Sequence, residues 1–336
     1  MKMKRKFLAM LMVIAMLCAV LTGCGGNTAE SDPQASTDAG STDSYKVAIV
    51  QLTDNGAFTE MITAFQNKMR ELGYDEDKMT FEIKNAQGST ATLNSICSQL
   101  KNEDYDLIVP IVTPATQAVV NAEVSAPVVF ISVTSPVGAG VMTSLEKPDK
   151  NATGTSNIVP VDEIFKLGKQ LTPDMQDIGI LYCTGEENAV QTVAKAKDYL
   201  EQNGYSYTEK TVTNSSEVQQ AAMALAGSVD AIYVPIDSTL QTAMTQVVEV
   251  ANQNNIPVYG SDPVMVQSGA LASVSCSNTQ LGEKSAQMAD QILKGTPVSE
   301  IPAVELTDYQ YVVNSATAET LGIELPDMEN LVIIGD

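Results

Sequence analysis

The feature that most constrains this chain is an alternation of short and long segments that runs once and then begins again. "KVAIVQL" (46–52) is β-branched and short. "FTEMITAFQNKMRELG" (58–73) follows, with Met61, Ile62, Phe65, Met69 and Leu72 near helical spacing and a closing glycine. "TFEIKNA" (80–86) reads as a second strand, and a helix runs through Leu93, Ile96, Cys97 and Leu100. "DLIVPIV" (106–112) and "APVVFISV" (126–133) are continuous apolar runs, the pattern of strands buried on both faces of a parallel sheet. The cycle then restarts with a strand at "DIGILYC" (177–183), a helix over 187–203, a strand near 207–213 and a helix near 216–226. "DAIYVPID" (230–237) and "IPVYGSD" (256–262) bracket a helix over 239–253. Such alternation predicts α/β layers with right-handed crossovers, and its recurrence predicts two Rossmann-like parallel-sheet lobes.

The halves align loosely. "DLIVPIVTPATQAVV" with "APVVFISVTSP" parallels "DAIYVPIDSTLQTAM" with "IPVYGSDP": strand, polar turn, helix, then a strand ending in Ser-Pro or Asp-Pro. In open parallel sheets ligands sit beyond the carboxyl ends of the strands, so two facing lobes make a cleft lined by turns from both. Those turns supply Thr113 and Thr116, Ser132 and Thr134, Thr184 to Asn188, Asp237 and Ser238, and Asp262. Each opens a helix whose free N–H groups can meet an anion. Any single one of them could equally be a plain N-cap. Lobe one offers neutral Thr and Ser turns, and lobe two offers the acids Glu186, Asp237 and Asp262. An anion site facing a cation site suits a small zwitterion, which alone bridges both. Asp237 is the favoured ammonium partner because its first-half counterpart, near Val112 and Thr113, is uncharged. Asparagine at 237 is expected to keep the cap and lose the charge.

The amino terminus carries Lys2, Lys4, Arg5 and Lys6, then an apolar run from Phe7 to Leu21, which reads as an export signal over 1–23. Leu21-Thr22-Gly23-Cys24 resembles a bacterial lipobox, whose cysteine becomes the lipidated first residue; the alternative is an ordinary signal with an incidental cysteine. Residues 24–44 hold no aliphatic side chain larger than alanine, so they read as a flexible tether on a lipid anchor. Loss of 1–23 removes four basic residues and no acid, moving the formal charge from −22 to −26. A surface so acidic repels nucleic acid. Cys97, Cys183 and Cys276 remain, an odd number at wide spacing, which reads as buried thiols rather than a disulfide framework. The absence of histidine rules out imidazole catalysis and histidine metal ligation. "GAG" (138–140) lacks the third glycine of a dinucleotide fingerprint, and no GxxxxGK[ST], HExxH or GxSxG run is present. Glu186 and Glu187 as an acid–base pair are the weaker reading beside a solvated helix start.

Taken in order, "NAQG" (85–88), "IVTPATQA" (111–118), "PVVFISVTSPVGAG" (127–140), "NATGTSN" (151–157), "GILYCTGEENA" (179–189), "DAIYVPIDSTLQTAM" (230–244) and "IPVYGSDPVMVQSGALASV" (256–274) resemble the extracytoplasmic solute-binding lipoproteins of tryptophan/tyrosine-type ABC importers. The resemblance runs from about Val47 to Val313. It implies the type I periplasmic-binding-protein fold, with hinge crossings near 155–158, 275–279 and 304–308. Lobe one would then comprise 45–157 plus about 279–304, and lobe two 158–278 plus about 305–336. Glu186 and Asn188 keep the family's Glu-x-Asn turn, whereas Cys183 and Ala189 depart from its usual surroundings. "LTDNGAF" stands where members often carry a Glu-His-Pro-like turn. The implied protein is a monomeric, cofactor-free, non-enzymatic binder that captures a small amphoteric ligand, an aromatic amino acid foremost, and passes it to an ABC permease. Its expected ligand contacts are Gln51, Thr53, Phe58, Thr113, Pro114, Thr116, Ser132, Thr134, Asn157, Thr184, Glu186, Asn188, Asp237, Ser238 and Asp262. Alternatives are a binder of nucleosides or other neutral solutes, and a sensory input without transport.

Overall fold

The computed structural model describes residues 44–328 and 330–335; the expected signal, Cys24 and the tether through residue 43 lie outside them. The chain first lays down β1 (Tyr45–Gln51), α1 (Gly56–Glu71), β2 (Met79–Asn85), α2 (Thr90–Leu100), β3 (Leu107–Pro110), α3 (Val112–Asn121), β4 (Val128–Val133) and β5 (Ala152–Asn157). It then crosses into α4 (Val161–Leu171), β6 (Asp177–Cys183), α5 (Glu187–Gln202), β7 (Ser206–Val212), α6 (Val218–Ala226), β8 (Ala231–Tyr233), α7 (Ser238–Thr242), α8 (Met244–Gln253), β9 (Val258–Gly260), α9 (Pro263–Gln267) and β10 (Ala272–Cys276). A return crossing gives α10 (Asn278–Leu293) and β11 (Val304–Leu306). A third gives β12 (Tyr309–Asn314), α11 (Ser315–Leu321) and β13 (Leu331–Ile334).

Two sheets result, ordered β11-β5-β4-β3-β1-β2 and β13-β12-β10-β9-β8-β6-β7. Both contain the same five-strand order, β2-β1-β3-β4-β5 in one and β7-β6-β8-β9-β10 in the other. The duplication seen in the sequence is therefore a duplication of topology. Successive strand residues point to opposite faces, so Val47 and Ile49 join one core cluster with Phe65 and Met69, while Ala48 and Val50 join another with Val119 and Phe130. Lobe two repeats this, with Ile178, Ile180 and Tyr233 on one face and Leu181, Ile232 and Val234 on the other.

Three local outcomes differ from the sequence reading. The apolar run 106–112 yields a strand only to Pro110, because Val112 turns the backbone to φ 58 and starts α3. The helix expected over 239–253 is two helices, since Ala243 leaves helical geometry at φ −107, ψ 16. Not every strand is parallel: β12 pairs antiparallel with β10, Cys276 opposite Tyr309. The cause is the short third crossing, which feeds β12 into its sheet from the end where β10 leaves it. Among the described residues Cys97, Cys183 and Cys276 are all buried and unbridged.

Candidate functional site

In each lobe the strand order reverses direction beside the first strand of its half, between β1 and β3 and between β6 and β8. Crevices at such switch points are where doubly wound sheets take ligands. The turns leaving these four strands hold Gln51 to Thr53, Ile111 to Thr113, Cys183 to Asn188, and Ile236 to Ser238. Of the sequence-predicted contacts all except Thr53, Pro114 and Thr184 are buried. Phe58 packs in one apolar cluster with Ile111, Val112 and, from lobe two, Val264.

Lobe one presents strained backbone and an open helix end. Val112 at φ 58 and Ser132 at φ 65 are non-glycine residues in left-handed geometry, which for a β-branched side chain is a true outlier. Such strain persists only where the surroundings enforce it. Helix α3 starts at Val112 with Ile111 as N-cap and no side-chain cap, so its leading N–H groups donate to no capping side chain. Nearby, Thr113 Oγ1 accepts the Thr134 N–H at 3.4 Å, and Asn157 Nδ2 donates to Ser132 Oγ at 3.3 Å. Thr116 Oγ1 donates instead to the Val112 carbonyl at 2.7 Å, within its own helix.

Lobe two presents carboxylates. Asp237 accepts the Cys183 N–H at 2.6 Å on one oxygen and the Leu240 N–H at 2.9 Å on the other. Glu186 accepts the Ser238 N–H on Oε2, and the Thr239 N–H and hydroxyl on Oε1, each at 2.9 Å. Burial, and then the neighbouring Glu186 charge, push the Asp237 carboxyl well above the usual range. Asp262 accepts the Val264 N–H at 2.9 Å and Asn278 Nδ2 at 3.4 Å, both on Oδ1, and burial raises it to about 6. Among the described residues no ion pair involves any of these three acids. The geometry corrects the expectation for Asp237→Asn. Two backbone donors meet two carboxylate oxygens, and an amide offers only one oxygen.

Among the described residues four buried amide oxygens lack partners: Gln51 Oε1, Asn157 Oδ1, Asn188 Oδ1 and Asn278 Oδ1. Asn188 is held by its other end, Nδ2 donating to the Ile236 carbonyl at 2.8 Å. Buried polar atoms are almost always paired, so the orphan acceptors of Asn278, which touches Asp262, and of Asn188, which holds the turn before Asp237, suit a ligand that brings donors.

Contacts between the lobes converge on α1. Asn55 Nδ2 donates to Gln241 Oε1 at 3.4 Å, and Gln267 Nε2 to Glu60 Oε1 at 3.3 Å. Asn278, just after the second crossing, donates through Nδ2 both to Glu60 Oε2 at 3.1 Å and to Asp262. Sequence reasoning missed all five of these residues. Polar side chains on helices read as solvated faces, and only the Ser277–Asn278 start of a helix at a crossing hints at more. A crevice of about 360 Å³ lies between the lobes against Leu52, Thr53, Ser238 and Thr239. A larger hollow of about 510 Å³ beside α4 and α5 contains none of the switch-point residues. The chemistry therefore belongs to the smaller one.

Two α/β lobes meeting across a polar, orphan-rich cleft define a solute-binding protein. The chain belongs to the ABC transporter substrate-binding protein family, whose pattern matches residues 46–332. It is 35% identical over 334 residues to a tyrosine-binding protein of Clostridioides difficile, covering 98% of this chain and 96% of that protein. An ABC domain from Streptococcus pneumoniae solved in complex with L-Trp superposes with a TM-score of 0.82 at 31% identity, covering 85% of this chain and 97% of that one. A ligand-free, open substrate-binding protein with adhesive properties from Clostridium difficile gives a TM-score of 0.66 at 35% identity, covering 86% and 99%. Family and fold are those of type I periplasmic binding proteins rather than enzymes, and such proteins work outside the cytoplasm.

Proposed function

We propose that this protein captures a free amino acid, with tyrosine the first candidate, between its lobes and delivers it to a membrane ABC permease. The observation that carries the reading is the opposition of the two cleft walls: an uncapped helix N-terminus in lobe one, and buried acids without basic partners in lobe two. A carboxylate suits the first and an ammonium the second. The tyrosine-binding relative and the L-Trp complex support the same ligand class. The three crossings act as the hinge, and closure buries the ligand between the sheets. An export signal and lipidation of Cys24 hold the protein on the outer face of the membrane.

Calorimetry with tyrosine, tryptophan and phenylalanine, set against nucleosides and sugars, tests the ligand. Saturable binding of an aromatic amino acid is expected, and binding confined to a nucleoside or sugar would overturn the reading. Cys24→Ala should release the protein from membrane fractions with its melting unchanged; a variant still retained there has no lipid anchor at that cysteine.

A further inference from the structure

The interlobe crevice carries more polar function than the charged ends of an amino acid use. Thr53, Gln87 and Ser215 enter its wall from three separate turns, after β1, after β2 and after β7. Among the described residues none of these three side chains has a hydrogen-bond partner. Leu52 is the sole aliphatic side chain in that wall. Gln87 is held in a left-handed turn at φ 53, its N–H on Asn85 Oδ1 at 2.7 Å and the next N–H, of Gly88, on the Leu52 carbonyl at 2.7 Å. A non-glycine residue in that geometry is uncommon, and here it fixes where the glutamine leaves the backbone.

The inner end of the crevice is formed by Ser238 and Thr239, whose N–H groups grip Glu186. Its outer end is formed by Gln87 and Ser215. An amino acid whose ammonium lies at the acids can extend its side chain past Ser238 and Thr239 into this crevice. A bare hydrocarbon there would strip water from an amide and two hydroxyls and return nothing. A hydroxyl or amide tip replaces that water with hydrogen bonds. Sites built to bond a substrate hydroxyl reject the analogue lacking it, most strongly when they are dry.

We propose that this crevice holds the distal end of the ligand side chain and selects one tipped with a hydrogen-bonding group, with Gln87 as the residue that reads it. The proposal rests on the amino-acid reading above and adds its specificity: tyrosine over phenylalanine. Gln87 is exposed, so its replacement leaves the core untouched. Titration calorimetry on the whole chain, with tyrosine and phenylalanine, should give tyrosine at least tenfold tighter. Gln87→Met keeps the length of the side chain and removes its hydrogen bonds. It should narrow that ratio at least threefold by weakening tyrosine, while phenylalanine binds no more weakly than to the parent chain. Ser215→Ala should narrow the ratio in the same direction. Phenylalanine equal to tyrosine in the parent chain, or a Gln87→Met variant that weakens both alike, overturns the crevice assignment and leaves the amino-acid reading standing. If no amino acid binds, both fall together.

Discussion

Asp262 is a carboxyl that burial penalises and only two donors, both on one oxygen, relieve. Glu60 on α1 adds a second negative charge nearby, and Asn278 on α10 lies between them. Its pKa in the fold, about 6, stands above the ordinary 3.8. The folded protein thus holds a proton that the unfolded chain has already lost. This contribution to stability is fully present below 3.8 and disappears as pH rises through about 6. Asp262→Asn keeps Oδ1 for both donors and carries no charge. It should melt above the parent at pH 8 by a margin on the order of 1–3 kcal/mol, and with it near pH 4. Thermal melts at the two pH values check this, and equal melting at pH 8 would show that Asp262 costs nothing when ionised. Asp237 behaves differently, because each of its oxygens holds a separate backbone N–H. Asp237→Asn leaves one buried N–H facing an amide donor, at a cost of about 1–3 kcal/mol. Burial and the Glu186 charge penalise the charged form of Asp237, and an ammonium beside it would favour that form. Ligand affinity should therefore fall as pH is lowered and Asp237 takes up a proton, and an affinity independent of pH in calorimetry would count against an ammonium at this pair.

At the scale of elements, the tightest junction is that of α1 with α10. A Cβ on Gly282 would stand 2.4 Å from the Met61 carbonyl oxygen and 3.1 Å from the Phe65 nitrogen. Both are helix backbone and cannot swing aside. Gly282→Ala must push the helices apart, and it should destabilise the fold by about 1–3 kcal/mol in denaturant unfolding. An unchanged midpoint would mean that the helices do not meet so closely. Strand β5 depends on a glycine in the same way, since a Cβ on Gly154 would fall 2.0 Å from the Phe130 carbonyl oxygen. That strand, "ATGTSN", is buried throughout yet almost free of apolar residues. Its polar groups are met by tertiary partners, Thr153 Oγ1 donating to the Ile301 carbonyl at 2.7 Å and Thr155 Oγ1 meeting Ser285 Oγ at 3.0 Å. Hydrophobic periodicity has nothing to register in such a strand, so it was legible only as a family segment.

For the whole molecule, the proposed function turns on closure of the two lobes over the ligand. Glu60 receives hydrogen bonds from Gln267 on α9 and from Asn278 at the second crossing, so it ties lobe one to both. Glu60→Ala should enlarge the scattering radius of the ligand-free protein and weaken ligand affinity, while saturating ligand restores the parent radius. A radius that never changes, with or without ligand, would remove Glu60 from the closing contacts. Binding itself should raise thermal stability, by about 2.7 kcal/mol at a ligand concentration 100 times Kd.

Periodicity and turn chemistry are local, and what depends on them was open to reading from the chain alone: β1 to β4, β6, α1, α2 and α5 within a few residues, the doubling, and the acids at the strand ends of the second half. Residues that act through neighbours distant in sequence were not. The antiparallel entry of β12 follows from how the chain passes between sheets, and the break at Ala243 and the turn at Val112 are backbone departures that no hydrophobic period records. The contacts of Asn55, Glu60, Gln241, Gln267 and Asn278 exist only because the lobes face one another. The raised pKa values of Asp237 and Asp262 have the same origin, since a carboxylate is penalised by the water that folding takes away, and no run of residues along the chain records that loss.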